Sequence, residues 1–232
     1  MDKHALIGYT GFIGTLIRSA YPFTNFYNRN NIIDIANTEF NTVVCAAPTS
    51  NRVLVNQDPI MDLETILFTI DHLRKMQCQR FVLISTVDVV QHPNTKYGLN
   101  RRLLEGWVKQ HIENYSIIRL PSLIHPKIQK NILYDLKNKL YLDKINPNTS
   151  NQWYPVLDLV KDIQQVGVKQ EVNLVSEPIF NSEIIERFGT GLNVLENDSN
   201  TQQYKLAPYR YTKQEIFQYM EKYFNEVPIH LW

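Results

Sequence analysis

The sequence contains little of what indicates a disulfide-bonded, metal-binding or membrane-spanning protein. Its 232 residues include only two cysteines, Cys45 and Cys78, too few for a disulfide framework or a thiolate metal site. The six histidines show no ligand spacing, so no metal site is expected. No apolar run approaches the roughly 20 residues of a membrane span, and the formal net charge of +1 does not favour nucleic acid. We expect a cytoplasmic globular protein whose partners include neither nucleic acid nor membrane.

Glycine is also scarce, and its distribution is informative. Three of the 8 glycines fall in one heptapeptide, between an apolar run at His4–Ile7 and an amphipathic stretch at Phe12–Ser19. At a strand–turn–helix junction the first glycine permits the tight turn, the second lets the backbone approach a pyrophosphate, and the third lets the helix pack on the strand. The spacing is GxxGxxG instead of GxGxxG, and an ordinary junction is the alternative. The candidate cofactor residues here are Gly8, Thr10, Gly11, Phe12, Ile13 and Gly14.

Apolar strand-like runs alternate with helical stretches through the first half of the chain, which predicts a parallel sheet covered by helices. The predicted strands are His4–Ile7, Phe23–Tyr27, Thr42–Ala46, Arg80–Ser85, Ser116–Leu120 and Val172–Val175. Helices are predicted over 61–76, 99–111, from 181 onwards and over 213–224. After Pro121 the composition changes, with more Pro, Asn and Lys. We expect an α/β fold, a Rossmann-type doubly wound parallel sheet in a single domain over 1–232. Small C-terminal elements at about 125–160 and 180–232 would cap a substrate.

The end of the second predicted strand bears on the choice of cofactor. In dinucleotide-binding folds an acid at this point binds the ribose of NAD, whereas a basic residue accommodates the 2′-phosphate of NADP. Asn28 offers no carboxylate, and Arg29 is suited to bidentate phosphate binding. Both residues are candidate cofactor ligands, and they favour NADP over NAD. A solvated loop arginine is the alternative reading of Arg29.

A candidate catalytic group follows the predicted central strand. Thr86 stands at the carboxyl edge, where ligands of open α/β sheets bind, and Tyr97 and Arg101 lie one turn apart at the start of a helix. A phenol with a pKa of about 10 needs a nearby cation to act as a base at neutral pH. We therefore expect Arg101 to lower the pKa of Tyr97, Tyr97 to exchange the proton of an alcohol, and Thr86 to hold its oxygen. An ordinary surface tyrosine and a solvated arginine are the alternative.

The Tyr97–Arg101 spacing and several other segments resemble the extended short-chain dehydrogenases/reductases. This family includes NAD-dependent epimerases, dehydratases and reductases of nucleotide sugars. The ordered resemblance runs from about residue 4 to 188. Its motifs are Gly8-x-x-Gly11-x-x-Gly14, Val43–Pro48, Phe81–Val89, Tyr97-Gly98-Leu99-Asn100-Arg101, Ile118–Ser122 and Asn173–Ile179.

The resemblance implies roles for particular residues. Thr86 would polarise the substrate, Tyr97 would be the acid/base, and Arg101 would complete the catalytic group. The residues implied to line the cofactor are Ala46, Ala47, Pro48, Ser85, Pro121 and Ser122. Those implied to contact the substrate are Val87, Asp88, Lys130, Asn131 and Tyr154.

Three departures mark a short, atypical member. The Tyr-x-x-x-Lys of the family is Tyr-x-x-x-Arg here, and the Asp-Glu pair of the dehydratases is replaced by Val87-Asp88, which disfavours water elimination. Only ten residues separate Thr86 from Tyr97. We expect an NAD(P)-dependent oxidoreductase or epimerase acting on a nucleotide sugar or related polyol, possible as a homodimer. The alternatives are a non-catalytic NADP-binding sensor or scaffold, and a flavin- or nucleotide-binding domain without hydride chemistry.

Overall fold

The computed structural model describes residues 2–189 and 205–232. Part of the expected C-terminal cap region, 190–204, lies outside the described residues. The described residues form the strands β1 (His4–Ile7), β2 (Asn25–Tyr27), β3 (Glu39–Cys45), β4 (Gln77–Thr86), β5 (Tyr115–Leu120), β6 (Ser122–Ile124), β7 (Ser150–Asn151), β8 (Trp153–Pro155), β9 (Gln170–Asn173) and β10 (Ile179–Phe180).

Five helices of the same residues correspond to predicted helical segments, whereas those at 52–57, 88–91, 132–138 and 159–165 were not predicted. The helices are α1 (Phe12–Ile17), α2 (Arg52–Gln57), α3 (Pro59–Leu73), α4 (Asp88–Gln91), α5 (Lys96–His111), α6 (Ile132–Asn138), α7 (Leu159–Gln165), α8 (Asn181–Phe188) and α9 (Lys213–Phe224). Short 3₁₀ segments lie at Ile32–Ile35, Leu142–Lys144, Val156–Asp158 and Ile229–Leu231. No helix in the described part of the chain combines the length and the apolar character needed to cross a membrane.

The chain divides into two compact units. The first contains the described residues of segments 1–119 and 159–172, and the second those of 120–158 and 173–232. The main sheet has the strand order β2-β1-β3-β4-β5-β9, and β1 pairs in parallel with both β2 and β3, as β3 does with β4. This is the predicted Rossmann-type parallel α/β fold. The last strand begins and ends two residues earlier than predicted, at Gln170–Asn173.

Both faces of the sheet are apolar, which explains the continuous hydrophobic runs. Alternate residues of the central strands, such as Val43, Phe81 and Ile117, join a core with α3 and α5, for example at Ile66 and Leu104.

The intervening strand residues point to the other face. There the Arg80 guanidinium donates hydrogen bonds to the backbone oxygens of Ile163 and Val166, at 2.6 and 2.8 Å. Arg80 thereby satisfies carbonyl groups at the end of α7, which the helix itself leaves without partners.

The second unit has its own small core. In it β6 pairs in parallel with β8, and β7 pairs antiparallel with β10. Trp153 is fully buried, and its backbone N–H donates to Ser176 Oγ at 3.0 Å. The Gln152 side chain donates to the backbone oxygens of Ser176 and Leu206, which ties the chain after residue 205 to this core.

Candidate functional site

The glycine turn lies where the strand order reverses. β1 has β2 on one side and β3 on the other, so the connections leaving β1 and β3 run to opposite sides of the sheet. In open α/β sheets ligands bind at such a switch point, outside the carboxyl ends of the strands. The turn from Gly8 to Gly14 follows β1, and the half-buried segment Ala46–Pro48 follows β3. The two predicted cofactor segments, the Gly8–Gly14 turn and Ala46–Pro48, therefore follow the two strands that flank the switch point of the sheet.

Two of the three glycines are required by close backbone contacts. Gly8 has φ +86°, and a Cβ there would lie 2.9 Å from the backbone of Ala46 and Ala47. A Cβ on Gly14 would lie 2.1 Å from the Gly8 carbonyl oxygen, so the first turn of α1 packs directly on the turn. Gly11 differs, because its Cβ would meet only the Gly8 oxygen, at an ordinary 3.4 Å. Packing thus explains Gly8 and Gly14 but leaves Gly11 unexplained.

The residues after β2 make local contacts. The Asn28 side chain accepts the Asn30 N–H at 2.9 Å and donates to the Tyr9 hydroxyl at 3.2 Å, next to the glycine turn. The exposed Arg29 donates from Nη2 to Thr65 Oγ1 at 3.0 Å. Asn28 therefore shapes the loop, while Arg29 remains accessible at the end of the strand.

The end of β4 rests on a buried charge network that the sequence does not reveal. Ser85 Oγ donates to Glu105 Oε1 at 2.6 Å, and Glu105 is 1% exposed. Arg119 donates to both Glu105 oxygens, from Nε at 2.9 Å and from Nη2 at 2.6 Å, and also to Glu171. Lys109 completes the network with a 3.1 Å bond to Glu171. The Ser85 hydroxyl, a predicted cofactor contact, donates its hydrogen bond to Glu105 of α5.

Thr86 is the last residue of β4, and Asp88 begins α4 two positions later. The half-buried Thr86 accepts the Asp88 N–H at Oγ1, at 3.2 Å. Asp88 is buried and pairs with Arg52 Nε at 3.0 Å, while His92 Nε2 lies 3.8 Å from its other oxygen. Arg52 opens α2, a helix that the sequence pattern did not predict, so this ion pair was missed.

Tyr97 is placed by the start of α5. Thr95 caps the helix by accepting the Gly98 N–H at 3.1 Å, and the Tyr97 N–H donates to Asn56 Oδ1 at 3.1 Å. A Cβ on Gly98 would lie 2.3 Å from the His92 oxygen, so the first turn of α5 packs on α4 without an intervening side chain. This contact holds Tyr97 beside the segment that follows Thr86.

Arg101 is buried in an ion pair. Its Nη1 and Nη2 donate to the two carboxylate oxygens of Asp62 on α3, at 2.8 and 3.0 Å. Nη2 also donates to the Thr49 carbonyl, and the guanidinium carbon lies 4.4 Å from the centre of the Tyr97 ring. The pattern of residues predicted that Arg101 and Tyr97 share a face, but not that Asp62 holds the arginine.

The electrostatic environment of Tyr97 refines one expectation. Burial raises the pKa of the Tyr97 phenol, Arg101 lowers it, Asp88 raises it and Arg52 lowers it, and the net result is a raised pKa. Arg101 thus lowers the pKa of Tyr97 as predicted, but it does not bring that pKa below its ordinary value. Desolvation outweighs the guanidinium because the ring is only 5% exposed.

The remaining predicted site residues lie in the second unit. Pro121 and the following Ser122 stand at the start of β6, both half-buried. Asn131 caps α6, accepting the N–H groups of Leu133 and Tyr134 and donating to the Leu123 oxygen. Lys130 is exposed and Tyr154 is fully buried. The polar atoms of Asn131 and the ring of Tyr154 are thus used within the unit itself.

No protein-family model matches the chain, and no curated protein matches it. Solved structures do match. RMD from Pseudomonas aeruginosa complexed with NADPH aligns with a TM-score of 0.70 at 13% identity, over 97% of this chain and 99% of that one.

Two further structures are similar to the chain. The UDP-glucose 4-epimerase of Thermotoga maritima, with UDP-glucose, gives a TM-score of 0.68 at 13% identity, over 88% and 89% of the two chains. WbmH of Bordetella bronchiseptica, in complex with NAD+, gives 0.67 at 15% identity, over 98% and 99%. At these identities the likeness is one of fold. The chain has the Rossmann-type α/β fold of these structures, as the sequence pattern predicted.

Proposed function

We propose that the chain is an NAD(P)-dependent oxidoreductase or epimerase that acts on a nucleotide sugar or related polyol, with Tyr97 as the acid/base and Thr86 and Arg101 beside it. The observation that carries the proposal is the glycine turn at the switch point of the sheet, in the same unit as the Thr86 and Tyr97 segments. The similar solved structures support the class, since they hold NADPH, NAD+ or UDP-glucose.

The described residues fit a nicotinamide dinucleotide. The Gly8–Gly14 turn would hold its pyrophosphate, because Gly11 leaves open the space that a side chain would fill. Thr10, Phe12 and Ile13 belong to the same turn. The proposal extends to the residues that follow the other strands, namely Asn28, Arg29, Ala46, Ala47, Pro48, Ser85, Pro121 and Ser122. The cofactor would supply or accept a hydride at a carbinol or carbonyl carbon.

The chain itself would manage the oxygen and its proton. Thr86 would hold the substrate oxygen through its hydroxyl, while Tyr97 would give or take the proton at Oη. Arg101 would act on the Tyr97 side chain while its nitrogens also bind Asp62 and Thr49. Substrate contacts are proposed for Val87, Asp88, Lys130, Asn131 and Tyr154, with parts of the second unit acting as the cap.

A titration with NADPH and NADH tests the cofactor. We expect NADPH to bind more tightly, because the exposed Arg29 can pair with a 2′-phosphate. Arg29→Ala should reduce the affinity for NADPH and leave that for NADH unchanged. Arg74→Ala is the matched control, since Arg74 is also exposed but ends α3. Failure of both dinucleotides to bind would refute the proposed function.

The chemistry is tested by Tyr97→Phe with UDP-sugars and their keto derivatives as substrates. Loss of about 10²–10⁴-fold in turnover with cofactor binding intact is expected of a missing acid/base. Inactivity of the wild-type protein with every substrate, while the cofactor still binds, would support the alternative of a non-catalytic sensor or scaffold. The buried Tyr97 ring and the paired Arg101 favour that alternative.

A cytoplasmic homodimer is part of the proposal. α3 and α5 pack together and expose the apolar side chains Leu67, Phe68, Leu99 and Leu103, which a second copy would cover. Sedimentation of the wild type and Leu103→Glu tests it, and a wild-type monomer at micromolar concentration would contradict it.

A further inference from the structure

Asp62 has no role in the proposed function, yet it pairs with Arg101, which lies against the ring of the candidate catalytic Tyr97. It is 5% exposed in the first turn of α3, and Arg101 is 4% exposed on α5. Both carboxylate oxygens accept from the guanidinium, at 2.8 and 3.0 Å. A fork-to-fork pair of this kind fixes the plane of the arginine and brings opposite charges into contact.

A further contact fixes Asp62 itself. The neighbouring Asn100 donates from Nδ2 to Asp62 Oδ2 at 2.8 Å and to the Pro59 oxygen at 3.1 Å. The carboxylate therefore receives hydrogen bonds from two consecutive residues of α5. Every contact described for the carboxylate oxygens is with a hydrogen-bond donor, so Asp62 is fixed beside Arg101 from two directions.

The charges around the Tyr97 ring come in opposite pairs. On α5, Arg101 lies 4.4 Å from the ring centre and is paired with Asp62. On α2, Arg52 is paired with Asp88 of α4, and His92 lies on the same carboxylate. Each arginine that could stabilise a phenolate thus has its own carboxylate. Burial and Asp88 raise the pKa of Tyr97, while Arg101 and Arg52 lower it, so the carboxylates next to the arginines oppose the phenolate.

We propose that Asp62 is a positioning residue that opposes the charge of Arg101 and so limits the stabilisation of the Tyr97 phenolate, which leaves the phenol protonated at neutral pH. The inference rests on the proposed function, because it assumes that Tyr97 serves the reaction. It departs from the simple expectation for Tyr-x-x-x-Arg, in which the arginine prepares a base. Asp62 instead limits how far the arginine lowers the pKa of Tyr97.

A protonated Tyr97 is the form that the reduction of a carbonyl group needs. In that step the carbonyl carbon would receive a hydride from a reduced nicotinamide dinucleotide, and the C=O π electrons would move to the oxygen. That oxygen takes the Tyr97 Oη proton, which leaves a phenolate and an alcohol. Solvent then returns one proton to Tyr97, so the step consumes one hydride and one proton overall.

The ionisation of Tyr97 can be measured without cofactor or turnover. Protein labelled with ¹³Cζ-tyrosine is titrated by NMR, and the Tyr97 signal is the one absent from Tyr97→Phe. In Asp62→Asn, Arg101 is uncompensated, so Tyr97 should ionise at a pH lower by about 1 unit or more. Asp71→Asn is the matched control, because it removes an exposed carboxylate, paired with Lys75, from the same helix. It should leave the Tyr97 titration unchanged.

A second variant covers the case in which Asp62→Asn does not fold. Asp62→Asn combined with Arg101→Met removes both charges, and replacing a whole buried pair is tolerated far better than breaking it. Tyr97 should then titrate at or above its wild-type pH. A wild-type titration in folded Asp62→Asn, or a large downward shift in the double variant, overturns the inference.

The outcome is separable from that of the proposed function. If the Tyr97 titration moves to lower pH in Asp62→Asn but the protein turns over no substrate, the charge arrangement is supported and the proposed enzymatic function is refuted. With an active protein, the pH optimum of carbonyl reduction should move to lower pH in Asp62→Asn. A purely structural Asp62 would lower stability and leave both the NMR titration and the pH profile in place.

Discussion

The glycine turn and the start of α5 are held in place by different means. The turn depends on backbone atoms in contact, because a Cβ at Gly14 would lie 2.1 Å from the Gly8 oxygen. The Tyr97 end depends on side-chain charges from four helices, including Asp62 and Arg101. Backbone contact requires one residue type at one position, whereas a charge pair requires two distant residues to meet. The first kind of restraint is visible in a sequence and the second is not.

The largest expected effect is the loss of stability when the buried charge network around Glu105 is broken. Glu105→Leu leaves the buried Arg119 with Glu171 alone and the Ser85 hydroxyl without its acceptor. Breaking a buried pair in this way should lower the free energy of unfolding by about 3–5 kcal/mol. Urea unfolding measures it, with the exposed Glu113→Gln as the control. An unchanged midpoint would show that the network contributes nothing to the fold.

The second prediction separates the glycines of the turn. Gly14→Ala should cost about 3 kcal/mol, at the upper end of overpacking effects, because a backbone oxygen cannot move aside. Gly11→Ala should leave the melting temperature nearly unchanged, since its Cβ meets only an ordinary contact, yet it should weaken dinucleotide binding. Equal stability losses in the two variants would contradict the division between packing and binding.

The third prediction concerns the pH dependence of stability that arises from Cys45, the last residue of β3. Burial raises the pKa of the Cys45 thiol to about 11, while the unfolded thiol ionises near its ordinary value of about 8.5. The stability that this raised pKa contributes is complete below about pH 8.5 and is lost as the pH rises toward 11. The wild type should therefore lose roughly 2 kcal/mol more than Cys45→Ala between pH 7 and 10. Parallel pH profiles in chemical unfolding would contradict it.

The same contrast explains what could be predicted from the sequence. The strand at His4–Ile7 and the helix at Lys213–Phe224 were predicted with their observed bounds, because local periodicity and capping determine them. α2 was missed, since Arg52–Gln57 is short and mixes exposed apolar with polar residues. The ion pairs with Asp62 and Asp88 join residues 36 or more positions apart. No spacing rule connects such residues before the fold is known.

The network beneath β4 also has a consequence for opening motions. Glu105 joins Ser85 of β4 to Arg119 of β5, and Arg119 in turn binds Glu171 of β9, so three neighbouring strands share one set of bonds. Opening the edge strand β9 would expose Arg119 without one of its carboxylates. We expect the amides of these strands to exchange with deuterium as a single slow group, whereas the three-residue β2 at the opposite edge should exchange sooner.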